Sequence, residues 1–331
     1  MKILLIAKPW RGGLGLYYYH ALNDMFPGAV EWLPTRPDTL LGWCSYRANP
    51  KAWWAAIHAR IANGTHDVAL FVGYHPELKK LAFDARNILY LIDAVDMHPG
   101  DLDALGRVFI SDPGYRKELA ALVRPEQNAG PLPFACYPPM HRPHAFTGQK
   151  RDVVFIGTRG KKRDVFLRPL LHSGYTVSII GNYFLRRGLF WQRPSAFQPS
   201  VSHEGMGAAY ARHNISINIH SEVVRGGTNM RSFECAGYGI PQVIEWREGI
   251  EDYFVANEEI VLFRTAEEML QAINMLRMDA EYRSALALRA RARVLREHSY
   301  YHRIVTLLQQ HIPTNVLEQA FEKVKARYAI E

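Results

Sequence analysis

Short, continuous apolar runs that recur with helix-length stretches between them constrain this chain more than any other feature. The first, Lys2-Ile-Leu-Leu-Ile-Ala-Lys8, has an unbroken apolar interior and is only a few residues long, the pattern of a strand covered on both faces in a parallel sheet. Similar runs occupy 68–72, 87–92 and 108–110, with helix-like stretches at 51–62 and 114–122 between them. Parallel neighbours need crossover connections, so this alternation predicts an α/β chain with doubly wound sheets.

The pattern breaks over 130–143, where Pro131, Pro133, Pro138, Pro139 and Pro143 remove amide hydrogens that a helix or central strand requires. It then restarts, with strands expected at 152–157, 176–181, 215–219 and 241–245 and helices at 266–276, 280–297 and 315–329. The expected organisation is a Rossmann-like domain over 1–137, a second over 138–313, and a C-terminal helix over 314–331 that can return to the first domain. Two such domains turn the carboxyl ends of their strands toward a cleft, a common place for ligands.

The composition, 331 residues of which 48% are hydrophobic and 22% charged, excludes a disordered or fibrous chain. The first apolar run meets Lys8 and Pro9 far short of the ~20 residues of a membrane span. It also lacks the flanks of a signal peptide, so the expectation is a cytoplasmic protein without a membrane span. Cys44, Cys136 and Cys235 are widely spaced and odd in number, which fits packing thiols rather than a disulfide framework or a zinc site. The formal charge of +8 favours anionic partners without choosing among nucleotide sugars, acidic lipids and nucleic acid.

The most informative stretch is Gly226-Gly-Thr-Asn-Met-Arg-Ser-Phe-Glu-Cys-Ala-Gly-Tyr-Gly-Ile-Pro-Gln-Val-Ile-Glu245. Its order is glycine turn, cap residue, short helix, terminating Gly239, Pro241 and strand. Thr228 or Asn229 can cap a helix whose free amides and positive dipole end suit a diphosphate. Arg231 and Glu234 share one helical face, where Arg231 can pair with phosphate oxygens and Glu234 can accept both hydroxyls of a ribose. An ordinary surface ion pair between the two explains the same spacing. Upstream, Arg159, Lys161, Lys162 and Arg163 crowd behind Gly157 after a strand, where amides and cations can meet the same diphosphate.

The run 231–243, followed by Ile250-Glu-Asp-Tyr-Phe and Glu259-Ile-Val-Leu-Phe-Arg-Thr-Ala-Glu-Glu268, resembles the C-terminal half of the CgeB-like glycosyltransferases of the GT-B fold. The stretch 152–163 is similar to the strand, glycine turn and arginine that open that family's second domain, and 215–220 to the strand before its site. The resemblance covers about 150–300. It implies a nucleotide-diphosphate sugar donor, with a UDP-sugar favoured, Arg163 at the family's arginine, Glu234 on the ribose and no obligatory metal or other cofactor. Many related retaining enzymes carry a second glutamate eight residues before the first, where this chain has Gly226, so the stereochemical outcome is not implied.

In the first domain, Pro9-Trp-Arg-Gly-Gly-Leu-Gly-Leu16 follows the first strand, and Gly12, Gly13 and Gly15 can bring backbone close to a ligand. In GT-B enzymes the equivalent loop lies near the transferred sugar, which assigns Gly13 to the donor side. The loop Asp93-Ala-Val-Asp-Met-His98 supplies the candidates for a base that takes the acceptor proton, Asp93 and Asp96 ahead of His98. Each also fits an ordinary turn or capping residue. His75, Arg187 and Trp191 are the acceptor-side candidates. Arg187 and Trp191 lie in an aromatic and basic stretch that, with Arg289, Arg293 and Arg296, has the ingredients of a nucleic-acid surface. Solvated arginines and pinning aromatics account for the same residues. A glycan and a hydroxylated base in DNA are therefore both open as acceptors, and a non-catalytic nucleotide-sugar or nucleic-acid binding protein is the alternative to an enzyme. A nucleotide-sugar epimerase is disfavoured for want of a matching histidine and acid pattern.

Overall fold

The computed structural model describes residues 1–9, 13–92, 97–183, 187–328 and 330, and for Arg187 the backbone only. Its contacts divide the chain into two compact units, Met1–Pro133 with Tyr300–Ile330, and Phe134–Ser299. Sequence reasoning sets the boundaries at 137/138 and 313/314.

In the first unit, β1 (Ile3–Ala7), β2 (Val30–Pro34), β3 (Val68–Val72), β4 (Asp84–Leu91), β5 (Leu105–Ile110) and β6 (Asn128–Pro131) form a parallel sheet in the order β2-β1-β3-β4-β5-β6. Every residue of β1 and β3 is buried, as their unbroken apolar composition requires. β6 forms inside the proline-rich stretch because it is an edge strand with Pro131 at its end.

Three helices, α1 (Leu14–Met25), α2 (Leu40–Ala48) and α3 (Pro50–Ala62), precede β3, and α4 (Arg116–Leu122) precedes β6. On one face Trp54 and Ile57 of α3 pack with Leu4, Ile6 and Phe71. Each such buried side chain contributes about 1.5–3 kcal/mol.

α1 leaves the sheet at Gly15, where an added Cβ would lie 2.7 Å from Ala7 Cβ and 2.8 Å from the Lys8 carbonyl oxygen. Only a glycine lets the helix pass the strand end that closely.

The second unit repeats the plan with β7 (Arg151–Ile156), β8 (Val177–Ile180), β9 (Phe197–Gln198), β10 (His213–Asn218), β11 (Gln242–Glu245) and β12 (Val261–Phe263). They too are parallel, in the order β12-β11-β10-β7-β8-β9. The connecting helices are α5 (Lys161–His172), α6 (Arg187–Phe190), α7 (His203–Ala211), α8 (Met230–Tyr238), α9 (Ala266–Met278) and α10 (Ala280–Glu297). The last two helices, α11 (Tyr300–Leu308) and α12 (Thr314–Tyr328), pack in the first unit. There Tyr300 stacks on Tyr17 of α1, and Asp24 accepts the hydroxyls of Tyr301 (2.6 Å) and Tyr328 (3.1 Å).

Strand order reverses between β1 and β3 in the first sheet and between β7 and β10 in the second. In open α/β sheets, ligands bind outside the carboxyl ends at such a reversal. Cys136 and Cys235 are buried packing thiols, as expected, whereas Cys44 is exposed on α2, a helix with no buried residue. Among the described residues no helix is long and apolar enough to cross a membrane.

Candidate functional site

At the reversal in the second sheet, β7 runs into Gly157-Thr158-Arg159-Gly160 and then α5, while β10 runs into the loop that ends at α8. Beside it, over the carboxyl ends of β7 and β8, opens a cavity of about 330 Å³ lined by Gly157, Thr158, Arg159, Asn182, His203 and Arg231 among others. That volume sits at the lower end of the range for small-molecule sites. The Gly157 amide is used inside the sheet, donated to the Ile180 carbonyl (3.1 Å). Burial, with Arg231 nearby, holds His203 down to about 4, so it is uncharged at neutral pH.

Asn229, rather than Thr228, caps α8, its Oδ1 accepting the Arg231 amide at 3.0 Å. The helix ends at Gly239 in the left-handed conformation (φ 70), as the terminating glycine predicts. Thr228 is buried in a chain of hydrogen bonds. Asn218 Nδ2 can only donate, to Ser232 Oγ at 2.8 Å. Ser232 Oγ also lies 2.6 Å from Thr228 Oγ1, and Thr228 Oγ1 lies 3.0 Å from His220 Nε2.

His220 Nδ1 lies 3.8 Å from Glu245 Oε2. Burial pushes His220 down to about 3, which keeps it neutral. With its hydroxyl committed, Thr228 offers a ligand its backbone amide. That amide and the Asn229 amide have no acceptor among the described residues.

Arg231 and Glu234 form the pair that their spacing predicts, with Nη1 2.5 Å from Oε2. It is not a surface pair: Glu234 is fully buried and Arg231 is 22% exposed. The face of the pair that lines the cavity is Arg231, and Glu234 lies behind it. On the far side His141 Nε2 stands 3.8 Å from Glu234 Oε1, and its Nδ1 accepts the Tyr137 amide at 2.9 Å. Burial holds the ring well below the usual histidine range.

The basic turn divides by partner. Arg163 donates Nε to the Ile219 carbonyl (3.0 Å) and Nη1 to Thr158 (2.7 and 2.8 Å), tying the β7 turn to the end of β10. Lys162 Nζ lies 2.8 Å from Glu245 Oε1, and its amide donates to Glu222 Oε1 at 3.2 Å. Glu245 is the residue that sequence reasoning passes over. It closes β11, is buried, accepts the His220 amide at 2.9 Å and meets Arg247 at 2.9 Å. An acid ending an apolar strand, where a parallel sheet meets ligand, was the available signal.

In the first unit, Gly13 starts α1 without a side-chain cap. Gly15 serves helix–strand packing rather than ligand approach, since its open face is filled by Ala7 and Lys8. His75 is half-buried, stacked 4.1 Å from the Trp54 ring, with Nδ1 accepting the Glu77 amide. It follows β3, at this sheet's reversal. His98 is exposed and donates its amide to Asp101 at 3.1 Å. Asp93, Asp96 and Gly12 lie outside the described residues.

Of the acceptor-side stretch, Trp191 is 69% exposed beyond α6, whose first residue is Arg187. Arg193 is turned inward onto the Tyr175 carbonyl (2.8 Å). The expected arginine face of α10 is tied up: Arg293 pairs with Glu259 (3.1 Å) and Glu297 (2.8 Å), and Arg296 with Glu297 (2.9 Å). Arg289 donates to the Glu258 carbonyl at 2.6 Å. Carboxylates on the same face cancel the field that a nucleic-acid surface needs.

Residues 162–309 match the family model described as glycosyl transferase-like. Among solved structures the whole chain aligns with sucrose-phosphate synthase from Thermosynechococcus elongatus, at 11% identity and TM-score 0.67 over all of both chains. It aligns with Anabaena HepE, solved with UDP and glucose, at 13% identity and TM-score 0.62, covering 98% of this chain and all of the other. T4 phage beta-glucosyltransferase aligns at 11% identity and TM-score 0.55 over all of both chains. No curated protein matches the sequence. The fold is GT-B, the fold of glycosyltransferases.

Proposed function

We propose that the protein is a glycosyltransferase that moves a sugar from a nucleotide-diphosphate sugar, with UDP as the nucleotide, to a hydroxyl acceptor. In the reaction the bond from the anomeric carbon to the diphosphate oxygen breaks, the acceptor oxygen takes its place, and the acceptor proton passes to a base. The observation that carries the reading is the cavity over the carboxyl ends of β7 and β8, walled by Gly157, Thr158 and Arg159 and by Arg231. Its supports are the free amides at the start of α8, the glycosyl transferase-like segment, and UDP in the solved HepE structure.

In this reading Arg231 pairs with the diphosphate and Glu234 holds it in place from behind, which refines the ribose role that the CgeB-like resemblance implies for Glu234. Asp93 and Asp96 are the candidate bases on sequence position, with Gly13 and His75 on the same unit. A hydroxylated base in DNA stays a candidate acceptor on the strength of exposed Trp191 and the net charge alone.

The test is thermal stability with a panel of nucleotides and nucleotide sugars, since a ligand specific for the folded state raises the midpoint. UDP and a UDP-sugar should raise it, and Arg231→Lys, which keeps the charge beside Glu234 but loses the fork, should weaken binding about tenfold or more. A protein that no nucleotide stabilises, or an Arg231→Lys response equal to wild type, would remove the assignment.

A further inference from the structure

A second cavity, of about 410 Å³, lies at the amino ends of β10 and β11, the end of the sheet opposite the nucleotide cavity. α10 presents Arg283, Ala287 and Arg291 to it at successive four-residue steps, and Lys150 faces it from the segment ahead of β7. Among the described residues the cavity has no Asp or Glu in its lining.

The two arginines are fixed without being neutralised. Arg283 Nη1 donates to the Leu276 carbonyl (2.7 Å) at the end of α9, and Arg291 Nη1 to the Gly237 carbonyl at the end of α8. Carbonyl contacts hold a guanidinium in position and leave its charge and remaining donors for an anion. Lys150 is exposed and has no partner among the described residues. Three cations around one concave space repel each other until an anion enters. The other arginine face of the same helix is matched by Glu259 and Glu297, so the absence of acid here is particular to this face.

We propose that this cavity is a binding site for a small phosphate-bearing molecule, its phosphate held by Lys150, Arg283 and Arg291. Forked donors and a mobile ammonium suit phosphate oxygens, and the volume suits a small molecule. The site is separate from the nucleotide cavity and does not depend on the glycosyltransferase reading.

The test titrates inorganic phosphate, pyrophosphate and a short single-stranded oligonucleotide into wild type, Lys150→Glu, Ser284→Asp and Arg231→Lys by calorimetry. Ser284 lines the cavity, so Ser284→Asp adds a negative charge while leaving both arginine contacts in place. Pyrophosphate should bind wild type with an affinity that falls with salt, and Lys150→Glu and Ser284→Asp should each weaken it about tenfold or more. Arg231→Lys should leave this component intact. Overturning results are no phosphate or pyrophosphate binding, binding untouched by both cavity variants, or binding lost only in Arg231→Lys, which would locate the anion in the nucleotide cavity. Tight Lys150-dependent binding of the oligonucleotide without pyrophosphate would replace the small molecule with a nucleic-acid backbone.

Discussion

At the reversal of the second sheet, the ends of β7, β10 and β11 are joined by buried charge and directed hydrogen bonds: Arg163 to Ile219, Lys162 to Glu245, and Asn218 through Ser232 and Thr228 to His220. At the reversal of the first sheet the contacts among the described residues are Gly15 against Ala7, His75 against Trp54, the Glu77 amide donated to His75, and the Tyr74 hydroxyl donated to Asp101 at 3.0 Å. Both sheets put loops where ligands bind, and among the described residues the second commits more buried polar groups there. A preorganised polar site is expensive to disturb and shapes one ligand; an apolar one is a scaffold on which loops supply the chemistry.

The strongest break in that contrast is Arg231→Ala. It removes the guanidinium from a fully buried carboxylate, which should cost about 3–5 kcal/mol, read as a lower denaturant midpoint. A loss below about 1 kcal/mol would mean the pair contributes no more than a surface one.

Gly15→Ala acts on the first unit through sterics, placing a methyl group against Ala7 and the Lys8 carbonyl. Overpacking of this kind costs about 1–3 kcal/mol. The midpoint should fall while the shift induced by UDP stays as in wild type. Loss of both would tie nucleotide binding to the first sheet and blur the distinction.

The third test, an effect absent at neutral pH, sharpens the contrast by acidification. Burial depresses His220 to about 3 and His203 and His213 to about 4, against about 6.5 for a free histidine. Between those values the unfolded chain binds more protons than the folded one, so stability is unaffected above about 6.5 and declines as the pH falls toward 4. His220→Gln should make the acid limb shallower by up to one proton, about 1.4 kcal/mol per pH unit. An unchanged slope would show that His220 is already protonated in the folded protein.

Much of the second site was legible because its signals are local. The turn, cap, helix, terminator and strand of 226–245 are read within one stretch of chain, and the Arg231–Glu234 pair follows from helical spacing. Glu245 was not legible as part of the site, since its partners Lys162 and His220 come from other strands' loops and meet it only when β7, β10 and β11 are side by side. The arginines of α10 show the same limit. Spacing puts Arg289, Arg293 and Arg296 on a shared face, but the carboxylate of Glu259 that cancels part of it arrives from before β12. Likewise, the proline-rich stretch reads as a break, yet it contains β6, because an edge strand tolerates the missing donor.

By itself the sequence determined the two parallel α/β sheets and the capped helix of 226–245, because burial on both faces and helix capping are written in neighbouring residues. Only the tertiary structure decided that Glu234 is buried behind Arg231, that Asn229 and not Thr228 caps α8, and that Arg283 and Arg291 of α10 face a cavity without a carboxylate in its described lining. Which partner a charge finds depends on chain segments brought together by strand order, and no local pattern records that order.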